Sequence, residues 1–420
     1  MDASHVPDVN ASAQIAVLDA AVPVAVAPMA GGPSSPELVA AVVRAGGAGW
    51  LAGGMKTVEA VREQVERTRE LLAGPDVGPG DADAARRFGV NVFVPDVANT
   101  ALPSERRTSA LDAATAAAVE AHRERVVQAA AETVRARAVA AGDAAETAEI
   151  PVATLAQATP DDEEQAREFA AMVDAAVEQR WPAVSFTFGL PSPEVFARLA
   201  AAGVPAGVTV TDAGQASEAV AAGAEFLTVQ GPAAGGHQGG TRHPAVTDAG
   251  RPVGVEETAR LVHEVRQTVG ASVPVVAAGA IMRAEDVAAV LEAGAVAAQC
   301  GTAFLLADEA GTSAAHRRAL AGLTGAEHQA APGDLDDAPG PETALTRAYT
   351  GRWARSLVTA FLREHPDAPQ AYPHVNAMTG PLRKAAAAAG DLHRVHLWAG
   401  TGAARVRTGS AEQVLAALLA

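Results

Sequence analysis

Eight short apolar runs, each followed by an amphipathic stretch, constrain this 420-residue chain more than any other feature of it. They are VPVAVAPM (22–29), AGWLAGG (48–54), FGVNVFVP (88–95), AVSFTFG (183–189), VPAGVTV (204–210), EFLTVQG (225–231), VPVVAAGAI (273–281) and AVAAQCGTAFL (295–305). Each reads as a strand buried on both faces, with a helix between it and the next. That is the pattern of a parallel sheet. SPELVAAVVRAGG is the clearest helix, capped by Ser35 with Pro36 at its first position. A doubly wound open sheet would use the same units, but eight of them in roughly 300 residues favour a closed (β/α)8 barrel.

Two segments fall outside the repeat. Residues 96–160 carry a long Ala/Glu/Arg helical pattern, which predicts an inserted helical segment between strand three and its crossover helix. Residues 327–345 are rich in Pro, Gly and Asp and read as a loop. The expected organisation is therefore a first part of the barrel (1–95), the insertion (96–160), the remainder of the barrel (161–325) and a mixed, mostly helical appendage near the barrel mouth (326–420).

The formal net charge of −17 argues against nucleic acid or an anionic membrane surface as partner. It leaves room for a small anionic substrate, because a few local cations or amides outweigh a distant, screened field. The single cysteine, Cys300, rules out an intramolecular disulfide. The start, MDASHVPDVN, lacks the basic and apolar regions of a signal peptide, and no run of about 18 apolar residues occurs. A cytoplasmic location is expected.

In a barrel the chemistry gathers at the C-terminal ends of the strands, and a phosphate is often held after strands seven and eight. Here those strands end in Gly279 and in Gly301-Thr302, which offer amides and a hydroxyl without side-chain obstruction. Tight turn geometry accounts for the same glycines. Asn91, Gln230 and Gln299 are carboxamides on or at the end of otherwise apolar strands. They either satisfy loop backbone or share one heterocyclic ligand with mixed donors and acceptors. VQGPAAGGHQGG (229–240) sets one histidine, His237, among five glycines; a lone histidine there is a structural residue or a group facing a substrate. HRVH (393–396) has metal-like spacing but no acidic or cysteine neighbour, so no metal is expected. Cys300 has no electropositive neighbour in sequence and reads as packing.

Taken in order, APMAGGPSSPELVAAVVRAGGAGWLAGG, FGVNVFVP, VQGPAAGGHQGG, PVVAAGAI, GAVAAQCGTAFL, YTGRWARSL and LWAGTGAARV resemble the nitronate monooxygenase family, formerly the 2-nitropropane dioxygenases. The resemblance spans nearly the whole chain and weakens in the inserted region and around residue 330. It implies a barrel that binds FMN. Carried over by motif, Asn91, Gln230, Gly235, Gly236 and Gly279 would contact the flavin. So would Ala280 and the Gln299-Cys300-Gly301-Thr302 turn, with Met29 beneath the isoalloxazine ring. His237 matches the catalytic histidine.

The chain departs from the family pattern at Ala280, where a second glycine is usual, at Gln238, where a basic residue is common, and at Thr401, where the tail usually has Gln. The resemblance implies oxidation of alkyl nitronates, and of nitroalkanes if His237 removes the α-proton, by O2 to a carbonyl compound and nitrite. Two alternatives stand beside it: an NAD(P)H-dependent FMN enzyme of the enoyl-reductase type, and a flavin-binding protein without turnover.

Overall fold

The structure, a computed structural model, describes residues 18, 20–74, 84–141, 149–242, 253–324 and 342–420. The N-terminal stretch and residues 327–341 lie outside the described residues; residues 343–345, expected as the end of the same loop, belong instead to a strand paired in a small sheet. The chain runs β1 (Val24–Val26), α1 (Pro36–Arg44), β2 (Ala48–Ala52), α2 (Val58–Leu72), β3 (Phe88–Phe93), α3 (Ala113–Ala141), α4 (Leu155–Ala158), α5 (Asp162–Glu178), β4 (Val184–Thr187), α6 (Pro193–Ala201), β5 (Ala206–Val210), α7 (Ala213–Ala222) and β6 (Phe226–Gln230). It continues β7 (Gly236–His237), α8 (Val255–Val269), β8 (Val275–Ala278), α9 (Ala284–Glu292), β9 (Ala297–Cys300), α10 (Ala314–Thr324), β10 (Thr343–Thr346), β11 (Ala354–Leu357), α11 (Ala360–Glu364), α12 (His374–Ala389) and α13 (Ala411–Ala417).

Each of the eight apolar runs contains one parallel strand. They close as β1-β2-β3-β4-β5-β6-β8-β9, with β9 paired back to β1. This is a (β/α)8 barrel, as the spacing of the runs predicts. The helix caps follow local chemistry: Ser35 accepts from the Leu38 amide with Pro36 next in line, and Thr57 and Asp212 cap α2 and α7 in the same way.

Two aromatic rings fill the barrel's lower interior. Trp50 on β2 stands directly opposite Gly89 on β3, and Phe226 on β6 directly opposite Gly207 on β5. The two rings meet at 5.7 Å between centroids and pack with Ala25, Ala48 and Ala183. Glycine in a strand interior ordinarily weakens it. Here each one leaves the space its neighbour's ring occupies.

The inserted α3 and α4 pack on α12, and the two segments share buried residues: Val126, Ala129 and Ala130 of α3 meet Tyr349, Phe361 and Leu382. α5 packs between α2 and α6 in the outer ring. β7, inside the glycine loop, joins β11 and β10 in a small antiparallel sheet. We propose that residues 96–160 and the C-terminal segment act as one cap over the barrel mouth. α13 is set apart from that cap, because it packs on α1 in the barrel's own outer layer.

The interior predicts its own weak point. A Cβ on Gly89 would lie 2.3 Å from the Trp50 ring. Gly89→Ala should cost roughly 1–3 kcal/mol by overpacking, read from denaturant unfolding, and Trp50→Leu in that background should recover part of the loss. An undiminished midpoint in the single variant would contradict the ring-over-glycine account.

Candidate active site

At the C-terminal rim of the barrel lies a cavity of about 520 Å³, a size ordinary for a cofactor or substrate pocket. All twelve site residues expected from sequence line it. Met29 comes from the end of β1, Asn91 from β3 and Gln230 from β6; Gly235, Gly236 and His237 come from the glycine loop. Gly279 and Ala280 follow β8, and Gln299, Cys300, Gly301 and Thr302 form the end of β9.

The register Ala278↔Gln299 sets the turn after β8 beside the turn after β9. Among the described residues, the backbone N–H groups of Gly279, Ala280, Gly301, Thr302 and Ala303 donate to no protein acceptor. Neighbouring groups fix the turns so that these amides stay free. The Thr258 hydroxyl donates to the Gly279 carbonyl, and the Asp286 carboxylate accepts from the Met282 amide. Gly279 has φ +123 and Ala280 φ +57. Ala280 is thus an L-residue in the left-handed region that favours glycine, costing about 1 kcal/mol. The backbone there has the shape of a Gly-Gly turn although the second glycine is missing. Unpartnered amides on two adjacent turns are a backbone arrangement able to hold an anion.

The three carboxamides divide. Gln230 spends both polar atoms on its own loop: Nε2 donates to the His237 carbonyl at 3.0 Å and Oε1 accepts from the Gly239 amide at 2.6 Å. Its first role is to shape the glycine loop. Asn91 Nδ2 donates to Ser185 and Thr187 on the adjacent strand. The Gln299 carboxamide makes no hydrogen bond among the described residues, although only 7% of the residue is exposed. The glycines divide too. A Cβ on Gly235 would lie 2.5 Å from the Gly400 nitrogen, so close backbone packing alone requires that glycine. A Cβ on Gly301 would meet only Met29 and Ala27 at 3.5 Å, beside the free amides.

His237 is held from several sides. β7 pairs with β11, with His237 opposite Ala354, and the Gln238 amide donates to the Trp353 carbonyl. Arg352, 2% exposed, donates to the carbonyls of Gln238 and Gly240 and lies over the Phe188 ring at 4.1 Å. The His237 Nε2 meets the Thr350 hydroxyl at 2.9 Å, and Phe188, Tyr372 and Trp398 surround the imidazole. Burial and then the charges of Arg352 and Arg383 push its pKa down to about 3. The imidazole is neutral at pH 7. Cys300 is 1% exposed and burial pushes its thiol up, so it stays protonated and packs.

The sequence reading missed the cavity's cationic wall. Arg383 and Lys384 of α12 line it, along with His316 and His396, and no Asp or Glu lines it among the described residues. Arg383 donates to Thr379, Asn376 and His396, all neutral acceptors. Burial lowers its pKa to about 10, so it remains charged at neutral pH. In sequence these cations resemble any solvated helix face; nothing local marks them as turned inward. The HRVH pair is split, with only His396 on the cavity, and no cluster of His, Cys, Asp or Glu able to hold a metal occurs among the described residues. No helix among them is long and apolar enough to cross a membrane.

The sequence profile of the nitronate monooxygenase family matches residues 12–420. A probable nitronate monooxygenase of Staphylococcus aureus (strain Newman) is 28% identical over 401 residues, 94% of this chain and 93% of that one. Among solved structures, nitroalkane oxidase from Streptomyces ansochromogenes is 38% identical over 96% of each chain, with a TM-score of 0.74. FabK from Thermotoga maritima shares the fold, at 21% identity and a TM-score of 0.60 over 96% of this chain and 93% of that one. With the match running through the barrel, the glycine loop and the C-terminal segment alike, the chain belongs to the nitronate monooxygenase family.

Proposed function

We propose that this protein oxidises alkyl nitronates with O2 to carbonyl compounds and nitrite, using FMN held in the rim cavity. The observation that carries this reading is the cavity's polarity. The turns after β8 and β9 offer four lining residues, Gly279, Ala280, Gly301 and Thr302, whose backbone N–H groups have no protein acceptor, and α12 offers Arg383, with no carboxylate lining the cavity among the described residues. A chain with net charge −17 has gathered local positive potential at one place. Two anions fit it: the phosphate of the cofactor at the amide cradle and the nitronate at the cationic wall.

The residues present fit FMN. The Gly279-Ala280 and Gly301-Thr302 amides would hold its phosphate, and Asn91 and Gln299 would face its ring edges with Met29 against the ring. When bound, the flavin accepts electrons from the substrate and passes them to O2. In balance, two nitronate anions and one O2 give two carbonyl compounds and two nitrite ions.

This chain's own groups bind and orient. Phe188, Tyr372 and Trp398 exclude water around His237 and strengthen its electrostatic contacts. His237 offers a neutral ring to the substrate. A group whose proton affinity is pushed this far down is a weak base toward a carbon acid at pH 7. An anion beside the imidazole would raise its proton affinity. Arg352 acts through the loop, holding the carbonyls on either side of Gly239 and so the direction of His237. The enoyl-reductase alternative shares the fold but draws no specific support from the cavity lining.

Two outcomes test this reading. Gly301→Val places two γ-carbons beside the free amides, so FMN content should fall severely while circular dichroism stays near wild type and Tm falls only to that of the flavin-free wild-type protein. A folded variant with full flavin would remove the cradle from the account. The second concerns pH. Because His237 is neutral above about pH 3, kcat/KM for a preformed nitronate should have no inflection between pH 5 and 8 that His237→Asn abolishes. Such an inflection near 6.5 would mean that His237 titrates in the free enzyme and that its charge state matters to binding of the anion.

A further inference from the structure

His396 and Arg383 are bound to one another in a way that fixes a proton. Arg383 Nη1 lies 3.2 Å from His396 Nδ1. A guanidinium only donates, so Nδ1 is the acceptor and the imidazole proton sits on Nε2. That Nε2–H has no acceptor among the described residues, and the residue lines the cavity. Arg383 makes three other side-chain hydrogen bonds, to Thr379 Oγ1 and to the carbonyl and Oδ1 of Asn376. They fix the guanidinium without neutralising it. Holding a partly buried cation without a counter-ion is unfavourable unless a ligand supplies one.

A second observation on the same wall points the same way. His316, 8% exposed, also lines the cavity, and its Nε2 is buried with no hydrogen-bond partner. Trp398 joins this wall to the first histidine, its ring lying 5.2 Å from that of His237 and 5.1 Å from that of His396. The wall therefore presents the partly buried charge of Arg383 with Lys384 beside it, one oriented N–H donor and one imidazole nitrogen without a partner, His316 Nε2.

We propose that Arg383 and His396 form an oxyanion-binding subsite that holds the two nitronate oxygens, and that this pair, not His237, gives the site its preference for the ionised substrate. The inference rests on the nitronate-oxidising reading above. His396 acts as a neutral donor whose tautomer Arg383 sets.

Nitrate tests it directly, being a planar oxyanion that cannot be oxidised by O2. Calorimetric titration of the flavin-loaded protein with nitrate should give saturable binding. Arg383→Met and His396→Phe should each weaken it at least tenfold. His396→Gln, which keeps an N–H near the Nε2 position, should recover most of what His396→Phe loses. In turnover, both weakened variants should raise KM for ethyl nitronate about tenfold while changing kcat/KM for neutral nitroethane little. Unchanged nitrate affinity and unchanged nitronate KM in both variants would overturn the subsite. So would equal losses on nitronate and nitroethane, or a His396→Gln no better than His396→Phe. A wild-type protein that binds nitrate at this wall but turns over no nitronate would overturn the proposed function and leave the subsite standing.

Discussion

Closure of eight parallel strands leaves backbone amides without partners at one rim, and the rest of the site depends on that. Within the barrel each strand's N–H groups find carbonyls on its neighbours. Past Ala278 and Cys300 the ladder stops, and the turns are held open by Thr258 and Asp286. Positive potential then arises from peptide dipoles with no basic side chain needed, which is how an acidic chain can keep a place for an anion. The C-terminal segment supplies a further part of the cavity lining. α12 carries Arg383 over the same opening, and β11 draws the glycine loop into a strand so that His237 faces inward.

Much of this was legible in the sequence. The eight strands could be read because parallel strands buried on both faces are continuous apolar runs that helical periodicity cannot imitate when bounded by glycine. The convergence of Asn91, Gln299, Gly279 and Gly301 followed from barrel geometry, since residues at strand ends meet at one rim whatever their separation along the chain. Gly89 and Gly207 were passed over: a glycine within a strand signals close approach, but only the register reveals that a tryptophan and a phenylalanine are what approach.

Other features were hidden for physical reasons. Gln230 resembled a ligand-binding amide, yet a carboxamide beside a glycine loop can satisfy that loop, and this one does on both atoms. Arg352 is not distinguishable in sequence from a surface charge, because the carbonyls of Gln238 and Gly240 that hold it are more than a hundred residues distant; Arg383 is held by nearby groups, but no local spacing says that its helix turns that face to a cavity. His396 lay inside a motif dismissed as a metal site. Its partner turned out to be an arginine one helix away, a pairing no local spacing encodes. Ala280 shows the reverse case. Its departure from the family's second glycine was visible in sequence, while the left-handed turn it must still adopt was visible only in the backbone.

The central claim is that one cavity holds a flavin at the amide rim and an anionic substrate at the cationic wall. The visible spectrum of the purified protein, followed anaerobically through addition of ethyl nitronate and separately of NADH, tests it most directly. The account predicts an oxidised flavin spectrum that nitronate bleaches and NADH leaves unchanged, with colour and nitrite both appearing on admission of O2. A protein that takes up no FMN, or one whose flavin NADH reduces rapidly while nitronate does nothing, would contradict it.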